Sequence, residues 1–590
     1  MRTNDFKFAS DSQNKGANPP SPRFVREKTG ESVITVAQEL TDFIDRLKLL
    51  DAKEGPRRPL LLLAFDEGHF LARGPENEKW TLFSQLRRAL RVTVKLPIFS
   101  VFLSTATKFR LFSPEIRSDS SRRVVDYELK RLYPISEISF DDLAFDAIAD
   151  TIVLDRVVST DWICHLGRPL YVFCVLLVFT PSTHHHRFGS RYDAEMKGQE
   201  DEVSLMDFAK VKLLDGPEKL ETTNGPGILA CMSIRFGLDI NLSDVSGREV
   251  AQTQVERHMR LCLAATPGFE KLFTTAASEP YLAEAAQELI HGSGANPVRY
   301  LATHSSLSCV DRGERGELVA ALIIMRARDA AARSEGKRDI SVIDFLEALL
   351  PTAPYDTFKL SKPYTFRAGE NRPLSEAFEG WRIWFNHVIK VHDANMIHTD
   401  HLWKFLTRGA MVMCVDRQEG VDIVIPICEK QIQLSRQNIS AILVQVKNNK
   451  SFTAHIKIPT FTKMDPPKLI FPGATPLPVI RMVFALASNT ARAHSPVVGI
   501  RNKRFASSFT AYDIWCAGLS PETFRDMGPD LEAYKILLVQ TQGAFDICDE
   551  YDDDLTIEAR GMQRRRIAPL SAPADAHNSI HKPEGEEAID

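Results

Sequence analysis

The sequence predicts an α/β protein with two α/β regions and a helical segment between them. An apolar strand at residues 60–65 and another at residues 98–103 flank a helical pattern, and two Val/Ile-rich strands occur at residues 421–425 and 439–448. Strands that are apolar on both faces are typical of buried parallel sheets, and short apolar runs bounded by turn residues are typical of strands. At 590 residues the chain is long enough for two or more domains.

The composition is that of a soluble globular protein, with 44% apolar and 25% charged residues. The net charge of −4 provides no overall basic field, so any nucleic-acid contact requires a local patch. The nine cysteines include no C-x-x-C pair, which argues against a zinc knuckle and a secreted disulfide framework. The N-terminus has no apolar signal segment, and we expect a cytoplasmic or nuclear protein without a membrane span.

The N-terminal region predicts a strand–helix–strand unit. Residues 1–32 are polar and rich in Gly and Pro, and we expect them to be disordered. A helical pattern follows at residues 32–50, and the strand at residues 60–65 ends in Asp66 and Glu67. The strand at residues 98–103 is followed by the sequence STAT at residues 104–107. Because open α/β sheets bind ligands at the carboxyl edge of their strands, these polar residues mark a candidate site.

The run LLLLAFDE at residues 60–67 resembles the Walker B motif of AAA-like P-loop ATPases, and STAT resembles their sensor position. The resemblance implies that Asp66 holds Mg²⁺, Glu67 polarises water and Thr105 senses the γ-phosphate. However, no G-x-x-x-x-G-K-[ST] loop occurs in the chain, and without it the phosphates lose their cradle of backbone N–H groups. We therefore expect an ATPase-like domain that is inactive or truncated at its N-terminus, and no ATP binding.

The segment HLGRPL, at residues 165–170, resembles the arginine-bearing sensor of the same ATPases, with Arg168 as the candidate. A helix end stopped by Pro169 is the alternative. Residues 171–187 combine an apolar run, too short to span a bilayer, with a His triplet. Because the flanking segments would join naturally without it, we interpret residues 171–187 as a mis-spliced insert. Residues 33–200 then form the ATPase-like domain, and the helical pattern of residues 201–295, including residues 255–263, predicts a helical lid.

The strands around Asp422 carry the clearest chemical signal of the chain. Asp422 interrupts an apolar strand, and Gln445 and Lys447, two residues apart, project from one face of the next strand. An acid, an amide and a lysine within hydrophobic strands are costly unless they meet a partner. The simplest partner is a divalent cation held by Asp422 and the Gln445 carbonyl oxygen. The alternative is a mixed strand pair at a sheet edge with Lys447 solvated.

This pattern resembles the restriction-endonuclease-like fold of the PD-(D/E)xK nucleases. The resemblance implies that Asp422 and Gln445 bind Mg²⁺ and that Lys447 activates water or stabilises the phosphorane. No Pro precedes Asp422, and Gln445 replaces the usual carboxylate, which weakens metal binding. Residues 311–325 predict a helix that resembles the first helix of such domains, with Glu317 pointing to the metal and Glu314 as its substitute. A solvated first turn is the alternative.

The pairing of both modules resembles the Crinkler-type NTPase–nuclease proteins and multi-copy paralogues of mushroom-forming fungi. We expect a restriction-endonuclease-like domain at residues 296–550 and a disordered tail at residues 551–590. Lys450, Lys457, Lys463 and Lys468 suit a phosphate backbone or a solvated edge strand. The predicted function is Mg²⁺-dependent cleavage of DNA phosphodiesters beside a degenerate ATPase module. An inactive relative that binds nucleic acid or a protein partner is one alternative, and a truncated ATPase is another.

Overall fold

The computed structural model of the chain divides into two compact units, Met1–Leu132 and Tyr133–Asp590, and each is described by itself. The structure describes residues 39, 42, 61–65, 68, 71, 81–91, 98–103, 122–125, 140–147, 151–169, 205–216, 219–240, 242, 245–266, 271–303, 312–415, 418–430, 433–471, 477–496 and 505–539. The predicted disordered ends, the insert at residues 171–187 and most of the helix at residues 32–50 lie outside these ranges.

The first unit contains the predicted strand–helix–strand arrangement. Strand β1 (Leu61–Phe65) pairs in parallel with β2 (Ile98–Phe102), and helix α1 (Leu82–Leu90) lies between them in sequence. Thr81 caps α1 by accepting a hydrogen bond from the Ser84 N–H, which satisfies one of the free donors of the first turn. A short helix, α2 (Arg122–Val125), follows. The prediction of a parallel strand pair with a crossover helix is therefore confirmed.

The second unit begins with helices and contains a mixed sheet. Its helices are α3 (Leu154–Val157), α4 (Thr160–Cys164), α5 (Leu205–Leu214), α6 (Gly225–Phe236), α7 (Val245–Arg257), α8 (Pro280–Ser293), α9 (Pro297–Thr303), α10 (Arg312–Glu335), α11 (Val342–Leu349), α12 (Thr352–Lys359), α13 (Leu374–Ala377), α14 (Thr399–Thr407), α15 (Ile458–Lys463), α16 (Pro466–Leu469) and α17 (Leu531–Val539). Short 3₁₀ helices occur at Ala394–Ile397 and Gly528–Asp530.

The helical pattern predicted through residues 255–263 is wrong at its end. The strands β3 (Leu261–Ala265) and β4 (Leu272–Thr275) form an antiparallel pair there. Met259 has a positive φ of 60°, which an α-helix cannot accommodate, and Arg260 donates from Nε to the Thr274 hydroxyl at 2.7 Å. The left-handed residue therefore ends α7, and the arginine ties the new strand to its partner.

Eleven strands form the main sheet of the second unit. They are β5 (Ile340–Ser341), β6 (Thr365–Phe366), β7 (Trp381–Ile383), β8 (His387–Lys390), β9 (Ala410–Met413), β10 (Ile423–Glu429), β11 (Ile439–Val446), β12 (Val479–Ala485), β13 (Arg492–His494), β14 (Phe505–Ala506) and β15 (Ala511–Ala517). The central order is β15-β12-β11-β10, in which β10 and β11 are antiparallel and β11, β12 and β15 are parallel.

One continuous hydrophobic core extends from Ile152 to Leu538 in the second unit. Every residue of β11, β12 and β15 is buried, as expected for central strands covered on both faces. The aromatic segment at residues 381–403 belongs to this core, since Trp381, Trp384 and Trp403 are all buried. These aromatic side chains therefore contribute to packing.

Candidate functional site

Asp422 lies immediately before β10 and is fixed against β11 by both its backbone and its side chain. Its N–H donates to the Val444 carbonyl at 2.9 Å, and its Oδ2 accepts from the Val446 N–H at 2.5 Å. The Cys414 N–H donates to the Asp422 carbonyl from the other side. The carboxylate is therefore held beside Gln445, the residue between Val444 and Val446, with little freedom to turn away.

Burial dominates the electrostatics of Asp422. It raises the pKa of this carboxyl from 3.8 to about 6, against the opposing effects of the Val446 N–H, the Lys447 charge and a hydrogen bond with the Gln445 side chain. A carboxylate that keeps a raised pKa beside a lysine and two hydrogen-bond partners lacks sufficient positive charge nearby. The site therefore favours a proton or an additional cation at this carboxylate.

The structure brings Gln445 and Lys447 together with Asp422, as the alternation of side chains along β11 predicted. Gln445 is buried, whereas Lys447 is half-buried just beyond the end of β11. The Lys447 N–H donates to the Phe484 carbonyl at 2.8 Å, which keeps the backbone extended against β12. Its Nζ lies 5.9 Å from the centroid of the Phe452 ring. The lysine thus combines a fixed backbone with a cationic end near the carboxylate.

Helix α10 brings Glu317 to the same end of β11. A Cβ at the preceding Gly316 would lie 3.1 Å from Val446 Cγ1 and 3.1 Å from Asn448 Cβ, so only glycine allows this close approach without displacement. The pKa of the buried Cys414 thiol is raised well above its usual range by burial and then by the charges of Asp422 and Glu317. Both carboxylates therefore lie within electrostatic range of one thiol. Glu314 also belongs to α10.

Asp422, Glu317 and Gln445 are the candidate ligands for a metal ion at this end of β11. Two carboxylates and an amide oxygen are the ligand types that Mg²⁺ accepts, together with water. Among the described residues, however, no group of three His, Cys, Asp or Glu side chains is arranged to hold a metal ion. Gln445 would therefore have to serve as the third protein ligand beside Asp422 and Glu317, and its neutral oxygen weakens the site relative to three carboxylates.

Gly420, two residues before Asp422, offers a test of how the site is positioned. Its φ is +90°, and a Cβ there would lie 2.4 Å from the Lys463 carbonyl oxygen; Gly369 has nearly the same φ, +89°, with nothing within 4 Å of its Cβ. Both alanine substitutions carry the left-handed strain of about 1–2 kcal/mol. We expect Gly420→Ala to destabilise the protein by about 1–3 kcal/mol more, because of the backbone clash.

Chemical denaturation of the two alanine variants measures this difference. Since Gly369→Ala shares the strain but not the clash, it is the matched control. Equal losses of unfolding free energy in both variants would contradict the close contact between Gly420 and α15.

Of the four residues assigned to an ATPase site, the structure describes Arg168. Asp66, Glu67 and Thr105 lie outside the described residues. Arg168 belongs to the second unit, where its N–H donates to Glu279 Oε1 at 2.9 Å and its guanidinium contacts Glu279 Oε2 at 3.2 Å. Its Nη2 also donates to the Met259 carbonyl. Arg168 therefore takes part in a largely buried internal ion pair.

Residues beyond the predicted set extend the site across the sheet. In the strand register, Gln445 lies opposite Val483, Val483 opposite Trp515, and Trp515 opposite His494. Burial, followed by the charges of Arg492 and His455, lowers the pKa of His494 to about 4. These positions were missed because they belong to later strands.

Phe452 connects this row to the lysines after β11. Its ring stacks on Trp515 with centroids 6.4 Å apart, and Lys457 Nζ lies 4.3 Å from its centroid. Lys450 and His455, in the same segment, are exposed. Lys463, by contrast, pairs with Glu419 at 2.7 Å. The basic surface next to Asp422 therefore includes Lys447 and Lys457, whereas Lys463 is partly neutralised.

A family model described as "Domain of unknown function (DUF8736)" matches residues 221–463. The matched segment includes Glu317, Asp422, Gln445 and Lys447, and it ends before β12. No curated protein and no solved structure matches the chain. Within the described part of the chain, no helix has both the length and the apolar character needed to cross a membrane.

Proposed function

We propose that the protein is a Mg²⁺-dependent nuclease-like protein that acts on DNA phosphodiesters through Asp422, Gln445, Glu317 and Lys447. The observation that carries the proposal is the half-buried Asp422 carboxylate, which accepts from the Val446 N–H and lies beside the side chains of Gln445 and Lys447. The order of elements also supports it: helix α10 precedes the antiparallel pair β10–β11, which is followed by the parallel strand β12.

In this proposal three side chains bind the metal ion, and the lysines act on the negative charge of the substrate. Asp422, Gln445 and Glu317 supply oxygen ligands to Mg²⁺, which when bound polarises the phosphoryl oxygens and lowers the pKa of a water molecule. Lys447 provides a cationic group next to the site, where it stabilises the negative charge that develops on the phosphorus oxygens. Lys457 and the other basic residues near Phe452 attract the phosphate backbone.

The first unit enters the proposal as a degenerate ATPase-like module of a Crinkler-type protein. Support comes from the parallel pair of β1 and β2, since the Walker B-like acids follow β1 directly in sequence. The chain lacks the phosphate-binding loop, so we assign this module a regulatory role without ATP hydrolysis.

Cleavage of supercoiled plasmid tests the nuclease proposal. We expect nicking in Mg²⁺ or Mn²⁺ that EDTA abolishes, and a loss of rate of about 10²-fold or more in both Asp422→Ala and Lys447→Ala. Lys430→Ala removes a lysine that is half-buried like Lys447 but lies just beyond the opposite end of β10. It serves as the matched control, with a rate close to that of the native protein. Nicking that survives both substitutions would show that a contaminating or different activity is responsible.

A binding protein without catalytic activity is the second candidate. The specific observation in its favour is the neutral Gln445 where a third carboxylate would complete the metal site. This candidate predicts that the native protein retards DNA in gel shifts without cleaving it, and that Lys457→Ala weakens the retardation. Metal-dependent cleavage that Asp422→Ala abolishes would exclude it.

A further inference from the structure

A pocket of about 300 Å³ lies along α10, on the C-terminal side of Glu317. Its walls come from α6, α8, α10 and α17 and from the turn before α9. Apolar side chains line part of it: Phe236, Ile290, Pro297, Val298, Leu322 and Met325. The volume is at the lower end of the range for small-molecule sites. From Glu317 to Arg326 the helix rises about 14 Å, so this pocket is distinct from the candidate metal site.

The polar part of the lining is dominated by arginine. Arg235, Arg326 and Arg333 all line the pocket, beside Asp329 and Asp530. Arg235 is only 2% exposed; its Nη2 contacts both oxygens of Asp329, at 2.9 and 2.8 Å. Within the described part of the chain, its Nε and Nη1 are buried without a hydrogen-bond partner. Buried donors on a charged group are costly to leave unsatisfied.

The acids near the pocket are already shared between several arginines. Asp329 also accepts from the buried Arg328, whose Nη1 lies 3.2 Å from Oδ1. Burial alone would raise the pKa of Asp329, but Arg235, ahead of His291 and Arg328, holds it far below its ordinary value. Two buried guanidinium groups therefore share one carboxylate, which leaves an excess of buried positive charge.

Asp530, the second acid of the pocket, is also shared by two arginines. Asp530 Oδ2 pairs with Arg326 Nη1 at 2.8 Å, and its Oδ1 pairs with Arg299 Nε at 3.0 Å. Arg333 contacts the ring of His291, and in the described ranges it pairs with no carboxylate. Cations thus outnumber acids on both sides of the pocket. An anion in the pocket would balance this charge and occupy free guanidinium donors.

We propose that this pocket binds a small molecule that carries an oxyanion, phosphate or carboxylate, on an apolar body. The oxyanion faces Arg235, Arg326 and Arg333, and the apolar body lies against Phe236, Leu322 and Met325. Planar guanidinium groups are suited to both kinds of oxyanion because they donate two parallel hydrogen bonds. The apolar wall favours a substituted anion over a free inorganic one.

Thermal unfolding and calorimetric titration of the full chain in low-salt, phosphate-free buffer test the proposal. The probes are phenyl phosphate, benzoate, inorganic phosphate and the neutral benzyl alcohol. We expect phenyl phosphate or benzoate to raise Tm, inorganic phosphate to raise it less, and benzyl alcohol to leave it unchanged. The stronger of the two aromatic anions identifies the class of oxyanion.

Two variants locate the binding. Arg235→Met removes the buried guanidinium, and Arg333→Gln removes an exposed one, so the second remains informative if the first does not fold. Each is expected to weaken binding at least about tenfold. Arg436→Gln is the control and should leave binding unchanged, because Arg436 is an exposed arginine that pairs with Asp400 and does not line the pocket. No Tm shift with any anion at about 10 mM, or equal shifts in native protein and Arg333→Gln, would overturn the proposal.

Discussion

Asp422→Asn is expected to stabilise the metal-free protein by about 3 kcal/mol at pH 8, since the rise of the carboxyl pKa from 3.8 to about 6 corresponds to that free energy. Burial of the charge causes the penalty. Asparagine keeps an oxygen that accepts from the Val446 N–H and removes the charge. The gain in unfolding free energy comes from a substitution at the very residue on which the proposed catalysis depends.

The pH dependence follows from the direction of this pKa shift. Well below pH 3.8 the carboxyl is protonated in both the folded and the unfolded chain, and the native protein bears no penalty. Between pH 3.8 and about 6 the unfolded chain releases the proton first, so native stability falls as the pH rises. The advantage of Asp422→Asn should therefore be complete above pH 7, fall to about 0.5 kcal/mol at pH 4 and disappear at still lower pH.

Denaturant titrations in EDTA at pH 4 and pH 8 measure this difference. The exposed Asp142→Asn is the control and should change the unfolding free energy by less than about 0.5 kcal/mol. Addition of Mg²⁺ at pH 8 should stabilise the native protein and leave Asp422→Asn unaffected. A variant that is less stable than the native protein at pH 8 would show that the buried charge is already compensated.

The sequence predicted secondary structure best where a short local pattern of residues determines it. The apolar runs of β1 and β2, and the Val/Ile runs of β10 and β11, predicted strands that the structure contains. Alternation along β11 also placed Gln445 and Lys447 on one face. By contrast, the short apolar run of β3 gave the same pattern as a buried helix segment, and only the left-handed conformation at Met259 distinguishes the two.

Contacts between distant residues could not be predicted in this way. Arg235 and Asp329 are 94 residues apart, and nothing in either helix indicates the other. The Val446 N–H that fixes Asp422 is a backbone donor, which every residue except proline supplies. The raised pKa of Asp422 depends on the helices and strands that enclose it. Sequence reasoning therefore selected candidate residues, whereas the surroundings that set their charge state required the fold.

Arg481→Met is expected to destabilise the protein by about 3–5 kcal/mol, because it leaves a buried carboxylate without its partner. Arg481 on β12 lies directly opposite Asp513 on β15, and both are buried. Its Nε and Nη2 donate to the two oxygens of Asp513 at 2.7 and 2.8 Å, and Nη1 donates to the Phe461 carbonyl at 2.8 Å. One side chain therefore joins the centre of the sheet to α15.

A double-mutant cycle separates the ion pair from the packing around it. Burial raises the pKa of Asp513, and the Arg481 charge opposes that rise, so loss of the arginine should raise it further. Arg481→Met should consequently recover stability relative to the native protein as the pH falls and Asp513 becomes neutral. The double variant Arg481→Met/Asp513→Leu should lose less than Arg481→Met alone, since no uncompensated charge remains. Denaturant titrations of the two single variants and the double variant show whether the losses of unfolding free energy are coupled or additive. If the losses simply add, the guanidinium acts through its contacts with α15, and the pairing with Asp513 does not hold β12 and β15 together.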